Sequence, residues 1–173
     1  MDLKKHLRVV PDFPKKGIQF FDVTTILQNP EAFKYVVDKM AESIKDIPCD
    51  VIVSLESRGF LFASAIAYKL GKSHSLVRKP GKLPYKTVSQ SYSLEYGTDT
   101  VEMHEDAVTP GQNVVVIDDL LATGGTVEAA IKLVEKLGGN VSAISFFIEI
   151  EGLGGREKLD GYHINSILKL RED

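Results

Sequence analysis

The segment of residues 114–126 constrains the fold of this chain more than any other. It begins with four β-branched apolar residues, continues through Asp118 and Asp119, and ends in small residues, hydroxyls and the pair Gly124 and Gly125. A helical pattern follows, with apolar residues on one face and a Gly-Gly stop. We therefore predict a buried strand, a polar turn and a helix in succession, which is the repeating unit of α/β folds.

Other segments repeat this alternation of strands and helices. Residues 51–55 and 141–148 are short apolar runs typical of buried strands. The Asn-Pro pair at residues 29–30 begins a helix with one apolar stripe, and residues 59–70 are apolar almost all round, which predicts a buried helix. Strands joined by helices form a parallel sheet, so we predict an α/β fold in one domain, residues 1–173, with a central twisted parallel sheet flanked by helices.

The composition of the chain excludes several classes of protein. A net charge of −3, without a strongly basic tail or helix, argues against a nucleic-acid partner. The single cysteine, Cys49, excludes an internal disulfide and a cysteine metal cluster. Residues 1–6 lack the apolar core of a signal peptide, and the longest uncharged apolar segment, residues 59–68, is shorter than the ~18 residues that span a bilayer. We therefore predict a cytoplasmic protein without a membrane partner.

The region between Arg78 and Pro110 departs from the α/β pattern. Residues 89–95 and 100–104 predict two short strands around a turn near residues 97–99. Such a hairpin is either an ordinary exposed one or a lid over a site. Basic residues also gather here, and their charge alone fits a solvated loop and a polyphosphate site equally well. They are Arg78, Lys79, Lys82 and Lys86.

The turn within residues 114–126 contains the groups that a phosphorylated sugar requires. A helix N-terminus offers unpaired N–H donors and the positive end of the helix dipole, which suit a phosphate. Two adjacent carboxylates would repel a phosphate alone, but they accept hydrogen bonds from a diol such as that of ribose. The alternative is that Asp119 or Thr123 only caps the helix. The glycine spacing differs from that of the nucleotide P-loop and of the dinucleotide fingerprint.

Residues 114–126 closely resemble the phosphoribosyl pyrophosphate signature of the type I phosphoribosyltransferases. The resemblance implies the fold of that family, in which residues 122–126, here called the phosphate loop, hold the 5′-phosphate. It also implies that the acidic pair, Asp118 and Asp119, contacts the ribose hydroxyls. The phosphoribosyl-binding residues so implied are Asp118, Asp119, Ala122, Thr123, Gly124, Gly125 and Thr126.

Residues 12–24 resemble the N-terminal hood of the adenine phosphoribosyltransferases. The resemblance implies a hood formed mainly by residues 1–30 and 150–160, with the ring of Phe20 stacked on the base. The alternative is that Phe20 and Phe21 belong to a small core. The adenine-binding residues so implied are Gln19, Phe20, Phe21 and Leu153.

Two more segments resemble the same family. Residues 54–62 are similar to its pyrophosphate loop, and residues 91–97 to its flexible hairpin lid, which the resemblance extends to about residues 80–108. It implies Glu95 as the general acid at the purine ring, with Tyr96 shielding the sugar. For Arg58 the alternative is a plain ion pair with Glu56. The implied catalytic residues are Glu95, Tyr96 and Arg58, and the implied pyrophosphate ligands are Ser57, Arg58, Arg78, Lys79 and Lys82.

The resemblance implies an enzyme of purine salvage that converts adenine and phosphoribosyl pyrophosphate to AMP and pyrophosphate. It further implies a homodimer, and Mg²⁺ as a cofactor that the substrate carries, with no direct protein ligand. One alternative is transfer to hypoxanthine, guanine or xanthine, because the phosphate loop is shared. Another is a regulator that senses phosphoribosyl pyrophosphate and binds nucleic acid, which would require a DNA-binding domain or a basic face.

Overall fold

The computed structural model describes residues 1–172, which form nine strands and five α-helices after a 3-10 turn at Leu3–Lys5. The strands are β1 Arg8–Val10, β2 Phe20–Asp22, β3 Val51–Leu55, β4 Ser73–Val77, β5 Thr87–Ser93, β6 Thr98–His104, β7 Asn113–Leu121, β8 Asn140–Glu151 and β9 Ile164–Arg171. The helices are α1 Thr24–Leu27, α2 Pro30–Ile44, α3 Arg58–Leu70, α4 Gly125–Lys136 and α5 Gly155–Lys158.

Five of the strands form a central sheet in the order β4-β3-β7-β8-β9. Every neighbouring pair in this sheet is parallel, and β7 lies in the middle. Parallel strands need crossover connections, and here α3, α4 and the hairpin supply three of them. The predicted α/β fold with a central parallel sheet is confirmed.

The sheet is buried on both faces, as its near-continuous apolar strands require. In β7, Val115 and Ile117 pack with α2 and α3 on one face. Val114 and Val116 pack with α4 and with β6 on the opposite face. Because side chains alternate along a strand, one apolar run supplies both cores, and the hydrophobic effect fixes the register of the central strand.

The helix boundaries follow local signals in the sequence. Asn29 caps α2 because its Oδ1 accepts hydrogen bonds from the N–H groups of Glu31 and Ala32, at 3.1 and 3.2 Å, and Pro30 occupies the first turn. Gly71, with φ of 67°, ends α3 in the left-handed conformation. At 15 residues α2 is the longest helix, and no helix within residues 1–172 is long and apolar enough to cross a membrane.

The prediction that α3 is buried nearly all round is wrong. Its inner side packs into the core, but Leu61 is 46% exposed and Tyr68 is 92% exposed. The two side chains are seven residues apart, which places them on the same side of the helix, two turns from each other. The helix covers one face of the sheet, so only its inner side needs to be apolar for the fold. Packing within this chain does not explain the apolar residues on its outer side.

The predicted hairpin is present as the antiparallel pair β5 and β6. Its turn was predicted near residues 97–99 but lies at residues 94–97, where the Leu94 N–H donates to the Gly97 carbonyl at 2.9 Å. Glu95 therefore lies in the turn and not in a strand. Val101 and Met103 of β6 are buried in the same core as α4, so the base of the hairpin belongs to the fold and only its tip is exposed.

A second antiparallel pair, β1 and β2, forms the beginning of the predicted hood. Arg8 and Asp22 tie its two strands together through an ion pair of 2.6 Å. Hydrogen bonds from Thr24 and Arg8 lower the pKa of Asp22 to about 2. Between these polar ends the Phe21 side chain is buried in the core beside α2 and α3, which anchors the strand.

Candidate active site

The polar turns after β3 and β7 meet at one edge of the central sheet. The two strands are parallel neighbours, so their carboxyl ends lie side by side, where ligands of α/β folds gather. The sequence suggested that the polar turn begins at Asp118, but β7 continues through the acidic pair to Leu121. The reason is the long partner strand, because β8 pairs with β7 as far as Glu149.

The phosphate loop follows β7 directly and leads into α4. Gly124 has φ of 86°, a left-handed conformation that other residues adopt only with strain. No side chain within residues 1–172 caps the N-terminus of α4 by a hydrogen bond, so neither Asp119 nor Thr123 acts as a plain helix cap. The free N–H groups border a cavity of about 110 Å³, lined by Asp118 and residues 120–127.

The acidic pair is held in an unusual electrostatic setting. Asp119 is 4% exposed, and its Oδ2 lies 2.9 Å from Nε of Arg58 but has no hydrogen bond within residues 1–172. Oδ1 of Asp118 accepts a hydrogen bond of 2.8 Å from the Asp119 N–H. Burial raises the pKa of Asp118 well above its ordinary value, and the charge of Asp119 raises it further. A buried carboxylate oxygen that forms an ion pair but no hydrogen bond suits a ligand that donates hydroxyl hydrogens.

Gly59 explains how α3 approaches the acidic pair so closely. A Cβ atom built on Gly59 would lie 2.7 Å from Oδ1 of Asp118 and 3.3 Å from its Cα. Both distances are shorter than ordinary carbon contacts, so a larger residue at this position would displace the carboxylate. The Gly59 position therefore sets the distance between the pyrophosphate loop and β7.

Arg58 lies between the acidic pair and the hood. Its guanidinium carbon is 5.2 Å from the ring centroid of Phe20, within the range of a cation–π contact, while its Nε pairs with Asp119. The alternative of an ion pair between Arg58 and Glu56 is therefore not what the structure contains. Arg58 connects the predicted ribose-binding and adenine-binding groups.

Glu56 instead contacts the basic residues that follow β4. Its carboxylate accepts hydrogen bonds from the Lys79 N–H and from Nζ of Lys82, the latter at 2.7 Å, and lies 3.6 Å from Nη2 of Arg78. Burial alone would raise the pKa of Glu56, but these partners bring it below the ordinary value. The two cations Arg78 and Lys82 outweigh the single negative charge of Glu56, and positive charge next to the cavity suits a pyrophosphate.

Tyr92 links the hairpin to the phosphate loop, a connection that the sequence did not reveal. Its hydroxyl accepts hydrogen bonds from Thr126 Oγ1 at 3.2 Å and from Lys79 Nζ at 3.1 Å, and donates to Asp99 at 3.2 Å. Lys79 and Asp99 also form an ion pair. Tyr92 and Asp99 are opposite each other in the hairpin register, so the correct turn would have predicted that part of the network.

One cavity brings together the groups predicted from separate segments. It has a volume of about 480 Å³ and adjoins the smaller cavity at the phosphate loop. Its walls carry both carboxylates of the acidic pair and the cations of the neighbouring turns. The lining residues are Leu55, Glu56, Ser57, Arg58, Lys79, Asp118, Asp119, Leu120 and Thr126.

The predicted lid and base-binding residues lie outside this cavity in the present conformation. Glu95 is exposed at the hairpin tip, and beside it Tyr96 is 87% exposed. Leu153 is 38% exposed in the loop after β8. Phe20 is half-buried beside Arg58, whereas the side chain of Phe21 lies in the core, so a role for Phe21 at the base is restricted to its backbone.

The donor set at this edge of the sheet suits a hydrated divalent cation. Within residues 1–172 no group of three or more His, Cys, Asp or Glu side chains lies close enough to hold a metal ion. Asp118 nevertheless lines both cavities and Asp119 lines the larger one, so hard oxygen ligands are present. Mg²⁺ keeps several waters and is commonly bound through one or two carboxylates and substrate phosphates, so the residues present fit it.

Comparison with known proteins gives one matching family and three similar proteins. Residues 22–167 match the family described as phosphoribosyl transferase domain. The chain is similar to the adenine phosphoribosyltransferase of Acetivibrio thermocellus, at 56% identity over 98% of this chain and 99% of the relative. It is similar in structure to the adenine phosphoribosyltransferase of Thermoanaerobacter pseudethanolicus, with a TM-score of 0.96 and 52% identity over 98% of each chain. It is also similar to that of Saccharomyces cerevisiae, solved with adenine and an imino-altritol bisphosphate, at a TM-score of 0.89 and 39% identity over 96% of each chain.

Proposed function

The chain belongs to the adenine phosphoribosyltransferases within the phosphoribosyl transferase family, and we propose from this that it converts adenine and phosphoribosyl pyrophosphate to AMP and pyrophosphate. This reaction salvages a free purine. The observation that carries the proposal is the cavity at the ends of β3 and β7. It combines an uncapped helix N-terminus, a buried carboxylate oxygen that makes no hydrogen bond, and the cations Arg58 and Lys79, which match a phosphate, a sugar hydroxyl and a pyrophosphate.

We propose that the phosphate loop binds the 5′-phosphate through Ala122, Thr123, Gly124, Gly125 and Thr126, while Asp118 and Asp119 accept hydrogen bonds from the ribose diol. These contacts hold the anomeric carbon still, which is an entropic contribution to the rate. Pyrophosphate departs as positive charge develops on the sugar, and fixed cations stabilise the developing negative charge on the leaving group. The residues proposed for that role are Ser57, Arg58, Arg78, Lys79 and Lys82.

The proposed base site faces the same cavity from the hood. Phe20 stacks on adenine, backbone groups at Gln19 and Phe21 meet its polar edge, and Leu153 covers the opposite face. Glu95 acts at the purine ring nitrogen opposite the one that bonds to the sugar. It accepts the proton that this nitrogen gives up as the bond to the sugar forms, and it returns the proton as a general acid in the reverse reaction, while Tyr96 shields the sugar from water. Because both lie exposed at the hairpin tip, this proposal requires the tip to move toward the cavity.

Mg²⁺ is the proposed cofactor, bound with the pyrophosphate of the substrate, where it supplies positive charge to the leaving group. Asp118 and Asp119 would hold its water ligands without contacting the metal directly. In this arrangement Arg58 supplies a second, fixed positive charge beside Asp119, 2.9 Å away.

An assay of purine conversion tests the proposed function. Purified protein with phosphoribosyl pyrophosphate and Mg²⁺ should form AMP from labelled adenine, and chelation of Mg²⁺ should abolish the product. Hypoxanthine, guanine and xanthine are the matched competitors. Efficient conversion of one of these purines, with adenine left unchanged, would reject adenine as the substrate.

Three broader features belong to the same proposal. Residues 1–173 act as one domain, with a hood of residues 1–30 and 150–160 and a lid of about residues 80–108. The location is cytoplasmic, because phosphoribosyl pyrophosphate and AMP are highly charged and do not cross membranes freely. The enzyme is a homodimer, supported by the exposed apolar side of α3, whose Leu61 and Tyr68 side chains no core requirement explains.

Replacing Tyr68 by glutamate should weaken the proposed dimer. A buried tyrosine at an interface contributes roughly 2 kcal/mol or more to binding, so the dissociation constant of the dimer should rise at least about 30-fold. Analytical ultracentrifugation across a concentration series measures the shift toward the 19.1 kDa monomer. Val9→Glu, at an exposed apolar residue of the hood, is the control and should leave the dimer unchanged. A dimer of unaltered affinity in Tyr68→Glu would contradict this choice of interface.

A further inference from the structure

The loop after β8 packs directly against the phosphate loop. This loop, residues 152–155, is called the base loop here because it carries Leu153. A Cβ atom on Gly155 would lie 2.3 Å from the carbonyl oxygen of Ala122 and 2.8 Å from Cδ1 of Leu121. A Cβ atom on Gly124 would lie 3.2 Å from the Gly155 carbonyl oxygen. The two loops therefore meet backbone to backbone, and glycine at both positions permits this close approach.

An ion pair fixes the base loop from the opposite side. Arg156, the second residue of α5, donates two hydrogen bonds to Glu149, from Nη2 at 2.6 Å and from Nε at 3.2 Å. Ser166 on β9 donates a third at 3.0 Å. These partners lower the pKa of Glu149 despite its burial, with Arg156 the largest cause, so the carboxylate stays charged. A bidentate pair fixes direction as well as distance.

The position of Glu149 makes this pair relevant to the active site. Glu149 is 5% exposed on β8 and is the register partner of Leu121, the last residue of β7 before the phosphate loop. Helix α5 has four residues and cannot be stable on its own. Its position relative to the phosphate loop must therefore come from tertiary contacts. The contacts that reach the sheet include the Arg156–Glu149 pair, the Gly155 packing and the buried side chain of Leu159, directly after α5.

We propose that Arg156 and Glu149 are positioning residues for the base site. Together they hold the base loop against the phosphate loop and so fix Leu153 at the distance that adenine requires. Neither residue contacts a substrate. The inference rests on the proposed function, because it assigns the base loop to adenine.

The substitution Arg156→Gln should raise the KM for adenine about 10- to 100-fold, the scale of a misplaced contact about 1 Å from its productive position. The KM for phosphoribosyl pyrophosphate and kcat should change much less, because the substitution leaves the acidic pair, Arg58 and Lys79 unchanged. Arg171→Gln is the matched control, since Arg171 of β9 pairs with Glu151 of β8 at 3.7 Å in a more exposed ion pair two residues along β8 from Glu149. It should leave all three constants unchanged.

The double variant Arg156→Gln with Glu149→Gln should recover part of the lost adenine affinity. A single substitution leaves Glu149 as an unpaired buried charge, whereas two amides can hydrogen-bond to each other. Arg156→Lys keeps the charge but loses the bidentate hydrogen bonding, so its KM for adenine should lie between those of the wild type and of Arg156→Gln. This milder variant keeps the test decisive if Arg156→Gln does not fold.

Hydrogen exchange of the backbone amides in residues 152–159 gives a measurement independent of catalysis. Faster exchange there in Arg156→Gln or Arg156→Lys, with unchanged exchange in α2 and α3, is the expected result. An unchanged KM for adenine, or equal increases in both KM values, would overturn the positioning role. If the wild-type enzyme does not convert adenine, the proposed function fails instead, and the exchange data still report whether the pair holds the loop.

Discussion

Replacing Asp118 and Asp119 together by asparagine should lower kcat/KM at least ~100-fold, the scale of losing oriented electrostatic contacts. Oδ2 of Asp119 is the atom on which this expectation depends, because it is buried at the cavity and accepts no hydrogen bond from another described residue. An asparagine there presents either a weaker acceptor or an N–H₂ donor toward the diol. Steady-state kinetics with saturating adenine measure the loss.

The single variant Asp118→Asn, which keeps the ion pair between Asp119 and Arg58, should be no less stable than the wild type. Burial and the charge of Asp119 raise the folded-state pKa of Asp118, so ionisation of Asp118 opposes folding. The contribution of Asp118 to stability is therefore present below the unfolded pKa of about 3.9 and is lost as the pH rises through the folded value. Asparagine removes this cost at neutral pH, so the melting temperature should stay the same or rise while activity is lost.

The exposed acidic neighbours Glu105 and Asp106 provide a control for net charge. Glu105→Gln with Asp106→Asn makes the same change of two charges away from the cavity, and it should leave kcat/KM and the melting temperature nearly unchanged. Near-normal turnover in Asp118→Asn with Asp119→Asn would contradict the assignment of the ribose to this pair.

Replacing Glu95 by glutamine should lower kcat about 100-fold or more and raise the KM for adenine much less. Positioned general acids and bases contribute on this scale, and glutamine keeps the shape of the side chain but can neither accept nor deliver the ring proton. In the structure Glu95 is exposed in the turn at residues 94–97, and no side-chain hydrogen bond or ion pair holds it among the described residues. A role confined to the closed lid therefore predicts a loss in kcat without a loss of stability.

Ser93→Ala is the control for the lid tip. Ser93 is exposed at the end of β5, two residues from Glu95, and its removal alters the tip without altering its charge. It should leave kcat close to that of the wild type. An unchanged kcat in Glu95→Gln would show that Glu95 takes no part in proton transfer and is an ordinary surface residue.

Much of the fold was predictable because it depends on local patterns. The apolar run that begins at Val114 specified the central strand, and the Asn29 cap and Gly71 stop specified two helix ends. The resemblance of residues 114–126 to a known signature identified the phosphate loop, and the structure brings that loop beside the predicted pyrophosphate loop.

The remainder depended on contacts between distant parts of the chain. The pairing of Arg58 with Asp119 and of Glu56 with Lys82 spans many residues, and no local spacing indicates either pair. The end of β7 could not be read from its own residues, because the partner strand β8 determines how far pairing continues. The exposed Leu61 and Tyr68 look like core residues in a sequence, since apolar character alone does not distinguish a core from an interface.

The most direct test of the central claim is a crystal structure with phosphoribosyl pyrophosphate and Mg²⁺ soaked into the protein at millimolar concentration. We expect the 5′-phosphate at the backbone N–H groups of residues 122–126, the ribose diol on Asp118 and Asp119, and the pyrophosphate beside Arg58 and Lys79. A sugar bound elsewhere, or an empty phosphate loop at that concentration, would contradict the account.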